Sequence, residues 1–206
     1  KYGGHMDLYH STNPGKWDIH VGSGNHTARA TASLYNGLVI YNHVKTDEIV
    51  CDLCTTWELA ADGVTYTFHL NGKAKWSDGK PVTADDVVFS LDRMTAEGEP
   101  RPRTGALRAY YESSEAVDPL TVKVITKFPS PAFIQFLATS YPKILPKHVV
   151  DAGVDINIPG NIVGSGPFRQ AGFERLGSYR FEKNPNYFKE GLPFLDSAEV
   201  FIIKDK

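Results

Sequence analysis

With 206 residues, 41% of them hydrophobic and 22% charged, the chain is long enough for one or two domains and a sizeable core. Its 22 basic and 24 acidic residues leave a net charge of −2, which excludes the basic excess that a nucleic-acid partner requires. No apolar run approaches the roughly 20 residues that span a bilayer, and no basic, apolar and small-residue sequence resembling a signal peptide opens the chain.

In chain order, Gly4 to Tyr9 reads as a first strand, followed by the long polar loop STNPGKWDIHVGSGN and a helix from about Thr27 to Tyr35. Loops of that length in compact proteins tend to be functional. Trp57 and Leu59 alternate with Glu58, and after the breaker Ala61-Asp62-Gly63 the side chains of Tyr66, Phe68 and Leu70 share one face, which predicts a half-buried hairpin. A second turn at Ser77-Asp78-Gly79 leads through Pro81 to Thr83, an N-cap with Asp85 and Asp86 in the first helical turn, where negative charge suits the helix dipole. Ala84, Val87, Val88, Leu91 and Met94 recur at helical spacing and predict one buried face.

Between Glu97 and Gly105 the breakers and charges of EGEPRPRTG predict an exposed loop. Asp118-Pro119 marks a hairpin turn, after which Val122 and Val124 alternate with Lys123. Ser130-Pro131 opens a short helix carrying Phe133, Phe136 and Leu137. The run Val200-Phe201-Ile202-Ile203 is nearly continuous in apolar residues, as in strands covered on both faces, and the segment to Lys206 reads as a strand cut off while crossing toward a further lobe.

No catalytic constellation emerges. Ser165 sits between glycines but lacks the Gly-x-Ser-x-Gly elbow of a hydrolase, and Glu182, Asp196 and Asp205 have no placed partner. His5, His10, His20 and His26 match no compact metal spacing. Cys51 and Cys54 could form a redox pair, half of a metal site, a structural disulfide or two buried thiols. The chain has no other cysteine to complete a zinc site, and a bridge needs these residues in a turn rather than extended.

The run WELAADGVTYTFHL, followed by WSDGKPVTADDVVFSL, resembles the extracellular solute-binding proteins of family 5, the dipeptide, oligopeptide and nickel-binding group that serves ATP-driven importers. LYNGL at Leu34 to Leu38, GSGPF at Gly164 to Phe168, YRFEKNPNYF at Tyr179 to Phe188 and the opening Tyr2-Gly3-Gly4 extend the resemblance over nearly the whole chain. It implies an α/β, periplasmic-binding-protein-like fold of type II with two lobes. Residues 1–41 and 162–206 would form lobe I and pair in one sheet, residues 42–161 an inserted α+β subdomain, and the second lobe would be absent from an amino-terminal fragment. Export is implied as well, with the signal peptide removed, a periplasmic or extracellular location and conditions that permit a Cys51–Cys54 disulfide.

The function implied is capture, without chemistry or cofactor, of a small solute, peptide being the first choice among ligands that also include nickel chelates, haem, sugars and opines. The partners would be that ligand and a membrane permease, with membrane contact only through the permease or a lipid anchor outside the chain, and no nucleic acid. The expected ligand wall comprises Asn13, Trp17 and His20 of the long loop, Tyr35, Asn36, Tyr141 and the glycine loop Gly164-Ser165-Gly166. The alternative for each aromatic is a place in the core, and for the glycine loop a purely structural crossing. A sensor that presents the same closed cleft to a receptor is the rival function, and a secreted hydrolase a more distant one.

Overall fold

The computed structural model describes residues 2–203; Asp205 and the end of the run to Lys206 lie outside them. In chain order the elements are β1 (His5–His10), α1 (Asn25–Thr31), β2 (Val39–Tyr41), β3 (Ile49–Cys51), β4 (Cys54–Leu59) and β5 (Thr65–Leu70). There follow α2 (Ala84–Thr95), β6 (Tyr111–Asp118), β7 (Thr121–Thr126), α3 (Ala132–Leu137), α4 (Lys147–Asp151), β8 (Phe168–Phe173), β9 (Ser178–Lys183) and β10 (Ser197–Ile202).

One four-stranded sheet, in the order β1-β10-β9-β8, joins the two ends of the chain, with β1 parallel to β10 and the other pairs antiparallel. A second, wholly antiparallel sheet has the order β4-β5-β7-β6, and β2 pairs with β3 as a separate hairpin. A single apolar core runs through both parts.

The alternation in β5 is realised as residues Tyr66, Phe68 and Leu70 buried against the core while His69 faces out. Its turn is held by Asp62, whose Oδ1 accepts from Val64 N and Thr65 N at 2.9 Å each, and by Gly63 at φ +72°, where a side chain would be strained. β4 is an edge strand, so Trp57 is only partly buried and Leu59 lies exposed.

Helix α2 begins at Thr83, whose backbone N–H donates to Asp86 Oδ2 at 2.9 Å. Asp86 does more than complement the dipole. It is buried, accepts from Trp76 Nε1 at 3.3 Å and from Lys147 N at 2.9 Å, and so ties the turn before α2 to the start of α4. Ala84, Val87, Leu91 and Met94 are buried along one face.

Three expectations are modified. The first helix ends at Thr31 rather than Tyr35: Leu34 N turns back to Thr31 O at 3.0 Å, and beyond the helix the carbonyls of Ser33 and Leu34 accept from Phe168 N at 3.2 Å and Gly166 N at 2.9 Å. The loop from Glu97 to Gly105 is mostly exposed, yet Thr104 is buried and Arg101 Nε donates to Arg93 O at 3.0 Å. In β10, Ala198 and Val200 are buried on one face, with Ile202 partly buried beside them, whereas Phe201 on the opposite face is only partly buried. No layer among the described residues covers that second face, where Tyr9 stacks on Phe201 with centroids 5.9 Å apart.

Candidate functional site

The glycine loop is built by close backbone approach. A Cβ on Gly164 would lie 1.9 Å from Leu34 O, and one on Gly166 would lie 2.4 Å from Ser33 O, so only glycine lets this loop lie against residues 33–35. Ser165 Oγ, fully buried, accepts from Asn36 N at 3.1 Å, and Asn184 Nδ2 donates to Gly166 O at 2.8 Å. The loop thereby fixes the Tyr35-Asn36-Gly37 turn.

That turn grips a carboxylate. Asp52 is 3% exposed; its Oδ1 accepts from Asn36 Nδ2 at 2.8 Å and from Lys189 Nζ at 2.6 Å, and its Oδ2 accepts from Gly37 N at 3.0 Å. On either side of it Cys51 and Cys54 are joined in a disulfide, with Cα atoms 5.0 Å apart. In an apolar setting a carboxylate persists only when its oxygens are paired in this way.

Beside this network lies a cavity of about 750 Å³ between the β2–β3 hairpin, the end of α3 and the segment from Tyr187 to Phe194. Tyr35, Asn36, Asp52, Lys143, Tyr187 and Lys189 contribute to its lining. Lys143 is 4% exposed, and its pKa is lowered first by burial; Asp52 works against that shift and Lys189 adds to it. The Tyr187 hydroxyl is pushed up to about 12, by burial first and then by the charge of Asp52. Asn36 Oδ1 has no hydrogen-bond partner among the described residues.

The other expected site residues fall elsewhere. Trp17 is buried, edge-on to Phe173 and Tyr179 at centroid distances of 5.5 and 5.4 Å. Asn13 Oδ1 accepts from Leu176 N at 3.1 Å. His20 is fully buried with Nε2 2.8 Å from Lys143 O, a contact that requires the proton on Nε2. Burial first, then the charge of Arg93, lowers its pKa to about 4, so it is neutral at pH 7. Next to it Arg93 makes a forked pair with buried Asp18. Burial pulls the Asp18 carboxyl upward, but bonding to Arg93 outweighs this and the net shift is downward.

The Asp18 carbonyl accepts from Val21 N at 3.1 Å and Gly22 N at 2.9 Å, which turns the chain outward into the exposed stretch Ser23-Gly24-Asn25. Arg103 Nε donates to Ser23 O at 2.7 Å and its guanidinium lies 5.3 Å over the Tyr141 ring, while Tyr141 OH donates to Asn25 Oδ1 at 3.2 Å. Ser23 N and Gly24 N make no hydrogen bond among the described residues. The structure thus brings Tyr35 and Asn36 together with the glycine loop, and Tyr141 together with the long loop; Asn13, Trp17 and His20 turn inward. Asp52, Lys143 and Lys189 lie outside the ligand wall expected from the sequence. The one local signal was a carboxylate set between Cys51 and Leu53, where an apolar strand context makes a lone charge costly.

The family model described as "Bacterial extracellular solute-binding proteins, family 5 Middle" matches residues 48–206. The dipeptide-binding protein of Escherichia coli K12 is 31% identical over 203 residues, which cover 89% of this chain and 38% of the relative. The glutathione-binding protein GsiB of Pectobacterium atrosepticum is 33% identical over 166 residues, 80% of this chain and 31% of the relative. Among solved structures, AgaA from A. tumefaciens R10 in complex with agropinic acid superposes with a TM-score of 0.88 at 29% identity, over 97% of this chain and 40% of that one. Haemophilus influenzae OppA in complex with the peptide RPPGFSPFR gives a TM-score of 0.88 at 26% identity, over 97% and 42%. The fold is therefore the mixed α/β fold of type II periplasmic-binding proteins, and the chain spans well under half the length of the relatives it matches.

Proposed function

We propose, from the premise that this chain belongs to the bacterial extracellular solute-binding proteins of family 5, that it forms one wall of the ligand cleft in the substrate-binding component of an ABC importer. The role is capture without chemistry on the periplasmic or extracellular side of the membrane, followed by delivery to a permease. Residues 1–41 and 162–206 act as lobe I and residues 42–161 as a subdomain inserted into it; support comes from the way strands 5–10 and 168–202 make up one sheet and strands 54–126 the other.

A peptide is the ligand class. Relatives named for dipeptide and glutathione binding support it, and so does the OppA structure with its bound peptide. The observation that carries the reading is the free main chain at Ser23 and Gly24. Two adjacent exposed residues have N–H groups with no hydrogen bond among the described residues, on a stretch held by the Asp18 carbonyl before it and by Arg103 at Ser23 O, as in surfaces that hold an extended peptide by its backbone. Tyr141 and Arg103 flank them and Trp17 and His20 support the loop from within. Tyr35, Asn36 and the glycine loop set the base on which the wall stands.

Native mass spectrometry of the protein purified from its own source without denaturation tests this. A retained short peptide is the expected result, and a retained sugar or metal chelate with no peptide would overturn the ligand class. Replacing Ser23 by Pro removes one of the two N–H groups, and peptide affinity should fall while the unfolding temperature holds.

A further inference from the structure

The cavity beside Asp52 lies at the disulfide and the β2–β3 hairpin, and its chemistry is separate from that of the free main chain at Ser23. Its charges do not cancel. Asp52 is neutralised by Lys189 at 2.6 Å and further satisfied by Asn36 and Gly37, which leaves the ammonium of Lys143 without an ion-pair or hydrogen-bond partner among the described residues. A buried ammonium normally finds a counter-charge, because the cost of removing it from water is otherwise several kcal/mol. Lys143 is within electrostatic reach of both Asp52 and Lys189, and all three line the same space. The rest of the wall is largely apolar, from Ile40, Val50, Leu192, Pro193 and Phe194. A volume of about 750 Å³ falls within the range of small-molecule sites.

We infer that this cavity is a binding site for a small organic carboxylate with an apolar tail, its carboxylate paired with Lys143 Nζ and its tail against the hairpin and the Leu192–Phe194 segment. Asn36 Nδ2 spends one of its two N–H groups on Asp52 and its Oδ1 has no partner among the described residues, so the amide adds polarity to the wall but no charge. Lys143 is thus the anchor. Burial that lowers its pKa when the cavity is empty works against the charge, and an arriving carboxylate restores it.

The test uses hexanoate, hexanamide and hexylammonium as probes on the 206-residue chain, with binding followed by calorimetry and by the NMR shift of the Lys143 side chain. Hexanoate should bind saturably, move the Lys143 signal and outcompete hexanamide by at least about ten-fold, while hexylammonium should not bind. Lys143→Met, which keeps the stem and removes the charge, should lose at least about ten-fold in hexanoate affinity without lowering the unfolding temperature, and Lys143→Arg should retain most of it. Equal binding of acid and amide, or unchanged hexanoate affinity in Lys143→Met, would overturn the assignment. So would an absence of hexanoate binding at millimolar concentration. Should Lys143→Met fail to fold, the comparison of the three probes on the unmodified chain decides alone. None of these outcomes depends on whether a peptide binds at Ser23.

Discussion

Asp52 and Lys189 stand 137 positions apart in the chain and 2.6 Å apart in space. Their pairing ties the disulfide segment to the stretch after β9, and with Asn36 it draws three distant parts of the sequence onto one carboxylate. Removing Asp52 leaves Lys189, the Asn36 amide and the Gly37 N–H without their acceptor. Asp52→Ala should therefore cost about 3 kcal/mol, at the lower end for a broken buried pair because Lys189 keeps some contact with water. Urea unfolding measures it, and a loss below about 1 kcal/mol would mean that water replaces the carboxylate.

Stability should fall with pH in the mildly acidic range, with a known sign. His20 has a folded pKa of about 4 against 6.5 in the unfolded chain, so between those values the unfolded state binds the extra proton. The stability from a neutral His20 is present above pH 6.5 and is lost as pH falls toward 4, at up to about 1.4 kcal/mol per pH unit. Asp18, with its lowered pKa, acts in the same direction at more acidic pH. Unfolding curves between pH 7 and pH 4.5 for the unmodified chain and His20→Gln should show a shallower slope in the variant.

How much of this was legible beforehand follows from the range of each interaction. β5 and α2 could be read directly, because period-two and helical spacing report one buried face each, and Thr83 and Asp62 mark their own turns through local hydrogen bonds. The end of α1 could not, since the stretch after Thr31 leaves the helix and pairs through Ser33 and Leu34 with the glycine loop more than 130 residues on, a contact no local pattern marks. Trp17 and His20 were visible as residue types but not as positions, because the long loop folds back to bury both. The Asp52, Lys143 and Lys189 grouping has no spacing that marks it, being made by the tertiary fold alone.

The Cys51–Cys54 bridge should matter little to global stability. It closes a very short loop, so the unfolded-chain entropy it removes is less than the roughly 3 kcal/mol expected for a 15-residue loop. Reduction should lower the unfolding temperature only slightly. Intact mass after alkylation should show no labelled thiol in the unreduced folded protein and two after reduction; two labels without reductant would mean that the bridge is absent.

Trp17→Ala should act first on stability. The indole is buried against Phe173 and Tyr179, on two strands of the first sheet, and its removal leaves a cavity that costs about 3 to 5 kcal/mol. Trp17→Phe should recover a good part of that by keeping an aromatic ring in place. Thermal unfolding of both variants checks this, and a near-neutral Trp17→Ala would place the indole outside the core.

The glycine loop permits a comparison in which chemistry is held constant and only the surroundings change. A methyl group on Gly164 would sit 1.9 Å from the Leu34 carbonyl oxygen, and since the obstacle is backbone on both sides, no rotamer change can relieve it. Nothing lies within 4 Å of the Cβ that Gly160→Ala would add only four residues earlier. Gly164→Ala must push the loop off residues 33–35, which would also strain the Ser165 acceptance from Asn36 N and the Ser77 N bond to Gly164 O. A loss of about 3 kcal/mol or failure to fold is expected for Gly164→Ala, against a change within about 0.5 kcal/mol for Gly160→Ala. Chemical unfolding of the pair decides it. Similar values for both would mean that the loop has room to move away from Leu34, and that its position does not fix the Tyr35-Asn36-Gly37 turn.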